Sequence, residues 1–381
     1  MQRRLLLQTA GVLSVGAPLI SPSFAQTAES IAWRYLLVSN YGSDTDQTLH
    51  VYRFDMTTGQ TQWVSSLTGV ANPPFMIASQ KHDFIYTVGD TDNSTPTVYA
   101  LSFDRASGRL RVVSKTSTVG SQPFFVALSQ NEKFAVTANY KGTSVSVIGI
   151  ESDGTLRDDS HLIFHTGSGP RIKRQPRPHP HCAVTSPDGK VVAVPDLGND
   201  RVYLYALDET QTDPRRAIDL KRSTSYRMDA GTGPRHICFH PNGKYAYLLS
   251  EFSGRITVFS YRDARFTQIQ SVMSDPYDAQ GSADIHVSPD GKFLYATHRL
   301  KNDGIVAFAV DVDTGMLTRL FDQPTKAFPR AFTFSPDGRF VLVACRDGNC
   351  IEVFKRDTAT GRLSATEHSM TLAKAAFALF V

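Results

Sequence analysis

From about residue 33 onward the chain alternates short apolar runs with polar turns, and one turn phrase recurs. It reads Ser186-Pro187-Asp188-Gly189, His240-Pro241-Asn242-Gly243, Ser288-Pro289-Asp290-Gly291 and Ser335-Pro336-Asp337-Gly338, with looser copies beginning at Ser79 and Ser129. Start-to-start spacings are 50, 57, 54, 48 and 47 residues. Proline at the second position fixes φ and Asp/Asn-Gly closes the reversal, so each copy predicts a tight turn between strands. An apolar run follows each clear turn, at 191–194, 245–249, 293–296 and 340–344, and a second strand comes next, as in Ile256-Thr257-Val258-Phe259 and Ile351-Glu352-Val353-Phe354. A further marker, Asp-x-x-x-Gly, begins at Asp55, Asp104, Asp311 and Asp357. Strand-length runs at a period near 50 predict four-stranded antiparallel units. Residues 370–381 are the one stretch outside the N-terminal leader where helix and strand both fit.

Such a unit cannot cover both of its faces alone, so copies must stack, and radial stacking gives an all-β propeller. Six copies carry the turn. The seventh is split: the tail at 375–381 has the character of the strand before a turn, while residues 35–39 and 49–54 have that of the two strands after it. Pairing the chain ends would close a seven-bladed β-propeller of four-stranded antiparallel blades and remove both free sheet edges. An open solenoid is the other way to stack these units, but it has no use for complementary ends.

Residues 1–25 read as an export signal preceding a single domain at 26–381. Arg3-Arg4 open it, an apolar stretch runs from Leu5 to Ile20, and Ser23-Phe24-Ala25 supplies small residues for cleavage. The stretch is too short for a membrane span of about 20 apolar residues. Paired arginines followed by three leucines resemble a twin-arginine signal, with the general secretory route as the alternative, so a periplasmic or secreted protein is expected, with no membrane association once processed. Formal net charge is +4 and falls to +2 when Arg3 and Arg4 leave with the leader. A near-neutral chain does not look like a nucleic-acid binder. With 41% hydrophobic and 20% charged residues, 23 Phe and 14 Tyr, it is not a disordered chain or a coiled coil either. Of four cysteines, Cys345 and Cys350 flank a predicted hairpin turn where a cross-strand disulfide is conceivable, and Cys182 and Cys238 read as buried small residues.

What the repeats do not share is informative. Five places before each turn stand Pro74, Phe124, His181, Arg235, Ala283 and Arg330, and four places before it stand Phe75, Phe125, Cys182, His236, Asp284 and Ala331. In a propeller the first strand of each blade lines the central channel, so these positions should form a ring at one mouth. Packing alone would not call for His181, Arg235-His236, Asp284 with His286, and Arg330 at matched depth. A second series, Asn139-Tyr140, Asp196-Leu197, Ser250-Glu251, His298-Arg299 and Cys345-Arg346, should rise on loops beside the same mouth. Together with His179, the two series offer an acid, imidazoles and guanidiniums, a set suited to binding an anionic substrate and moving a proton. Polar side chains that merely fill a channel are the competing reading. The basic run from Arg171 to Arg177 is a solvated loop or a lid over the mouth. No compact His/carboxylate motif points to a metal, and no cofactor is called for.

Gly233-Pro234-Arg235-His236, followed by His240-Pro241-Asn242-Gly243 and Glu251, resembles the signature of the seven-bladed propeller lactonases. That family includes the propeller-type 6-phosphogluconolactonases and the carboxy-cis,cis-muconate cyclases. Arg174-Gln175, His179-Pro180-His181, Pro195-Asp196-Leu197-Gly198, Ala138-Asn139-Tyr140 and Ser282-Ala283-Asp284-Ile285-His286 extend the likeness over about residues 33–381. The family pattern is departed from at Asp284 (usually Glu), His298 (usually Asn) and Ala331 (usually His). The resemblance implies a catalytic quartet of His181, Arg235, Glu251 and Arg299. The ring adds His179, His236, Asp284, His286 and Arg330 as substrate-binding candidates. The expected activity is hydrolysis of a small anionic lactone, a sugar acid or related carboxylated lactone. Lactone-forming cycloisomerisation at the same site, and a non-catalytic binding propeller, are the alternatives.

Overall fold

A computed structural model describes residues 33–90 and 95–381, so the proposed export signal lies outside the described residues. The recurring turn explains itself in atoms. Ser186 Oγ donates to Asp188 Oδ1 at 2.7 Å and accepts from the Val191 amide at 3.1 Å, and the same pair of bonds recurs at Ser288 and Ser335. In the variant copy His240 replaces the serine, and its Nδ1 accepts from the Asn242 amide at 3.1 Å. The closing glycine takes φ near +70°, a conformation that costs other residues dearly.

Among the described residues, strands from Trp33–Asn40 to Ala375–Phe380 form seven four-stranded sheets and no helix. Six sheets each use four strands consecutive in the chain. The seventh joins Ala375–Phe380 to Trp33–Asn40, Leu49–Asp55 and Thr61–Leu67, with Leu37 opposite Leu379 and Val38 opposite Ala378. The chain ends therefore close an all-β, seven-bladed propeller, and the ambiguous tail is strand. Second strands of the blades, such as Phe134–Asn139, Val191–Asp196 and Phe340–Cys345, are buried at every position because a neighbouring blade covers each face. Outermost strands such as Leu317–Pro324 alternate buried and exposed residues. Apolar clusters run between adjacent blades: Tyr86 and Val88 pack with Val126 and Ile148, and Leu36 and Val38 with Leu342 and Ala344.

Innermost strands are irregular where it matters. Register shifts fall between Pro123 and Phe125, Pro234 and His236, Ser282 and Ile285, and Pro329 and Ala331. Each leaves Phe124, Arg235, Ala283-Asp284 or Arg330 outside the ladder. The closing blade repeats this at Ala376, between Phe377 opposite Ser39 and Ala375 opposite Asn40. A bulged residue is free of the pleat's alternation and can be aimed elsewhere. Five of the six complete blades carry a proline just before the ring position: Pro73, Pro123, Pro180, Pro234 and Pro329. A proline there gives the ladder no amide and ends regular pairing.

Cys345 and Cys350 stand opposite each other in register and are free thiols, with Cys345 Sγ 3.3 Å from Glu352 Oε2.

Ring closure makes a stability prediction. Phe54 is fully buried and meets Phe380 of the closing strand and Phe340 of the preceding blade edge-on, at centroid distances of 5.1 and 5.3 Å. Phe54→Ala should cost about 3–5 kcal/mol in urea unfolding, as expected for an aromatic removed from a core.

Candidate active site

Every blade contributes to one recess at a mouth of the ring. Its wall includes Pro74, Phe124, His181, Arg235, Asp284, Arg330 and Ala376, together with Phe75, Phe125, His236, Ala331 and Phe377. The ring expected from counting back along the repeats is the ring that forms. Phe75 stacks on Phe125 at 3.6 Å and leans on Phe377 at 4.5 Å, making an aromatic floor. Below that floor a second chamber of about 290 Å³ is lined mainly by Ile77, Val126, Leu128, Val184 and Ile237. Outward from the recess, Phe124 and Arg330 also line a cleft of about 490 Å³ with Tyr41, Gln122, Arg346 and Lys374.

Beside the recess, Glu251 is buried beneath three guanidiniums. Arg174 Nη2 donates to Oε1 at 2.7 Å, Arg299 Nη2 to Oε2 at 3.2 Å, and Arg235 Nε stands 2.9 Å from Oε2 without the alignment of a hydrogen bond. Burial pushes the Glu251 carboxyl up, but Arg299, Arg235 and Arg174 together outweigh it and hold it below the usual carboxylate range. The two buried arginines have further anchors: Arg235 Nη1 donates to the Ala283 carbonyl, and Arg299 Nε to the Gly281 carbonyl at 3.1 Å. Gly233, at φ +66°, precedes the Pro234-Arg235 bulge, and a Cβ there would meet the Phe252 ring at 2.4 Å. That ring is the shelf on which Arg174 lies, at 4.7 Å.

His181 sits between Tyr140, Phe124 and His236, with ring centroids 5.2–5.5 Å away. Its Nδ1 is buried and has no hydrogen-bond partner among the described residues. Burial, then Arg235, His236 and Arg330, push its pKa well below the ordinary value, so the ring is neutral at pH 7. His236 Nδ1 lies 2.9 Å from Asp284 Oδ1, and burial with Arg235 beside it pulls this imidazole down to about 4. Arg330 makes no hydrogen bond or ion pair among the described residues; its guanidinium lies over the Tyr41 and Phe124 rings at 5.4 and 5.5 Å.

Two candidates are not part of the recess wall. His286 lines the lower chamber, with Nε2 3.0 Å from Asp284 Oδ2. His179 stacks on Tyr140 at 4.4 Å, and its Nδ1 bonds that residue's carbonyl at 2.9 Å. In the loop-tip series Asp196 is an anchor: it accepts the His179, Gly198 and Asn199 amides and pairs with His165 Nδ1 at 2.6 Å. This fixes the irregular segment carrying His181, whose ladder the prolines at 178 and 180 interrupt. His298 is buried between Ser274 and Ser282. Arg174 and Tyr140 belong to the site beside the residues expected there; the signal for Arg174 was the basic run leading into His179. Among the described residues no group of three or more His, Cys, Asp or Glu is placed to hold a metal ion.

The family model described as lactonase, 7-bladed beta-propeller, matches residues 35–380. A 6-phosphogluconolactonase of Formosa agariphila is 31% identical over 331 residues, covering 84% of this chain and 93% of its own. Among solved structures, a Bacteroides fragilis protein provisionally assigned as a 6-phosphogluconolactonase is 37% identical, with TM-score 0.87 over 95% of this chain and 100% of that one. The periplasmic gluconolactonase of Pseudomonas aeruginosa is 30% identical, with TM-score 0.84 over 92% and 99%.

Two predictions come from these electrostatics. Glu251→Gln leaves buried guanidiniums facing one another and should lower stability by about 3–5 kcal/mol in urea unfolding. Acidification should also destabilise the fold between pH about 6.5 and 4. There the unfolded chain protonates histidines that the folded chain keeps neutral: His181, His236 and His298, the last held down at about 3 by burial and then by Arg319. Glu251 and Asp284, both depressed, lose their contribution only at lower pH. His286 is raised because Asp284 outweighs its burial, so its stabilising effect is complete below about 6.5 and fades as pH rises. His298→Asn should make stability fall less steeply with acid by about 1.4 kcal/mol per pH unit.

Proposed function

The chain belongs to the seven-bladed β-propeller lactonases, and we propose that it hydrolyses a sugar-acid lactone in the recess walled by His181, Arg235 and Arg330. The observation that carries this is a neutral His181 on the wall of a recess ringed by guanidiniums, its Nδ1 sealed off and its Nε2 without a hydrogen-bond partner among the described residues. In the tautomer protonated at Nδ1, Nε2 is an uncommitted acceptor, a position suited to an attacking water.

In this reading Arg330, uncommitted to any carboxylate, takes the substrate's anionic group, and Arg235 faces the lactone carbonyl. His181 removes a proton from water as its oxygen attacks the carbonyl carbon. The carbonyl π pair moves onto oxygen, and the resulting oxyanion is stabilised by Arg235. Collapse of this intermediate re-forms the carbonyl and breaks the ring C–O bond. The imidazolium returns its proton to the departing alkoxide, giving the open hydroxy acid. The arginines that depress His181 also explain why an anionic substrate helps: its charge offsets theirs and makes the imidazole a better base when the substrate is bound. Glu251 keeps Arg235 and Arg299 aligned, its carboxylate paired with three guanidiniums.

The lactone hydrolases among the relatives support the reaction class. A periplasmic address accords with the Arg3-Arg4 leader and with the location named for the Pseudomonas protein.

Titration of released acid at constant pH, with glucono- and 6-phosphogluconolactone as substrates, tests the proposal. His181→Gln should keep the fold and lower kcat by about 10²–10⁴. Undiminished turnover in that variant would remove His181 from the mechanism.

A further inference from the structure

We propose that Arg174 is an exchangeable guanidinium, which leaves Glu251 Oε1 to join Arg330 on the phosphate of a phosphorylated lactone and so sets the preference for phosphorylated over neutral substrate. The inference rests on the reading that a lactone occupies the recess, and extends it to substrate choice.

The three arginines around Glu251 are not equivalent. The side chains of Arg235 and Arg299 are 1% and 8% exposed; each bonds a backbone carbonyl and forms an ion pair with the carboxylate. Arg174 is 46% exposed and bonds no backbone carbonyl through its side chain; it donates to Glu251, lies on the Phe252 ring and has the Tyr140 phenol as a further polar partner. Tyr140 in turn leans on His181 and Phe124, which puts Arg174 at the rim of the recess.

Its backbone, by contrast, is pinned. The Arg174 and Gln175 amides both bond the Arg171 carbonyl, Gln175 Nε2 bonds the Leu197 carbonyl and Asp200 Oδ1, and Arg171 ties the segment to the Gly231 carbonyl and Gln280. A change of side-chain rotamer therefore suffices; no loop has to open. When Arg174 departs, Glu251 keeps Arg235 and Arg299 on Oε2, so the buried carboxylate is not left without a counter-charge. A phosphate dianion offers a guanidinium more charge and more acceptor oxygens than one half of a shared carboxylate. The exchange is thus favoured for a phosphorylated substrate and has no counterpart for a neutral one.

The test compares wild type, Arg174→Gln and Arg174→Lys by initial rates on 6-phosphogluconolactone and on gluconolactone. Loss of one charge-assisted contact should lower the ratio of kcat/KM values, phosphorylated over neutral, by about ten- to a hundredfold in Arg174→Gln. The loss should fall mainly on KM, and lysine should restore part of it. A ratio that does not move, whether both rates persist or fall together, would overturn the exchange and leave Arg174 a structural clamp. A wild type that opens neither lactone counts against the proposed function instead. Calorimetry with 6-phosphogluconate and gluconate then decides about Arg174 without turnover: weaker binding of the phosphorylated acid alone in Arg174→Gln supports the exchange, and unchanged binding overturns it.

Discussion

One buried carboxylate organises this molecule's chemistry. Glu251 draws in guanidiniums from the connection before the third blade, from the fourth blade and from the fifth. Three positive groups with nothing between them would repel one another and could not be buried together; with the carboxylate there, two of them are. The same balance acts on the neighbouring histidines. Burial first, and then the positive surplus this balance leaves with Arg330, keep His181 and His236 neutral, while Asp284, a little deeper, draws the second imidazole of its pair toward the charged state.

The scaffold supplies the distance relations. Closing seven sheets into a ring puts residues from 74 to 376 around one axis, and the innermost strands break their ladders where they reach it. A regular strand would turn alternate side chains into the gaps between blades. The bulges let Arg235 and Arg330 point along the axis while the next residue, His236 or Ala331, resumes pairing.

Much of this was legible in the chain. The Ser-Pro-Asp-Gly phrase, a serine and an aspartate bonding across a fixed φ, is local chemistry, and local chemistry repeats visibly. Counting from it located the ring because every blade spaces its first strand from its turn alike. The split seventh blade was readable because the two ends have complementary strand character. Other features were hidden because they depend on contacts between distant segments. That His286 and His179 are not on the recess wall depends on Asp284 and Tyr140, and alternation along an extended segment cannot say which side is occupied. Arg174 reaches Glu251 across 77 positions of chain, which no spacing announces. The prolines preceding the ring positions were visible throughout; their meaning, that pairing stops there, emerges only once the strands are seen to be innermost.

Those unpaired positions carry an evolutionary consequence. Because residues such as Phe124, Arg235 and Arg330 owe nothing to the hydrogen-bond ladder, replacing one leaves its strand's pairing intact. The mouth behaves as a set of interchangeable sockets on a rigid drum. Lineages sharing this architecture can therefore diverge in what they accept through single exchanges at the axis, while the sheets that bear the load stay as they were.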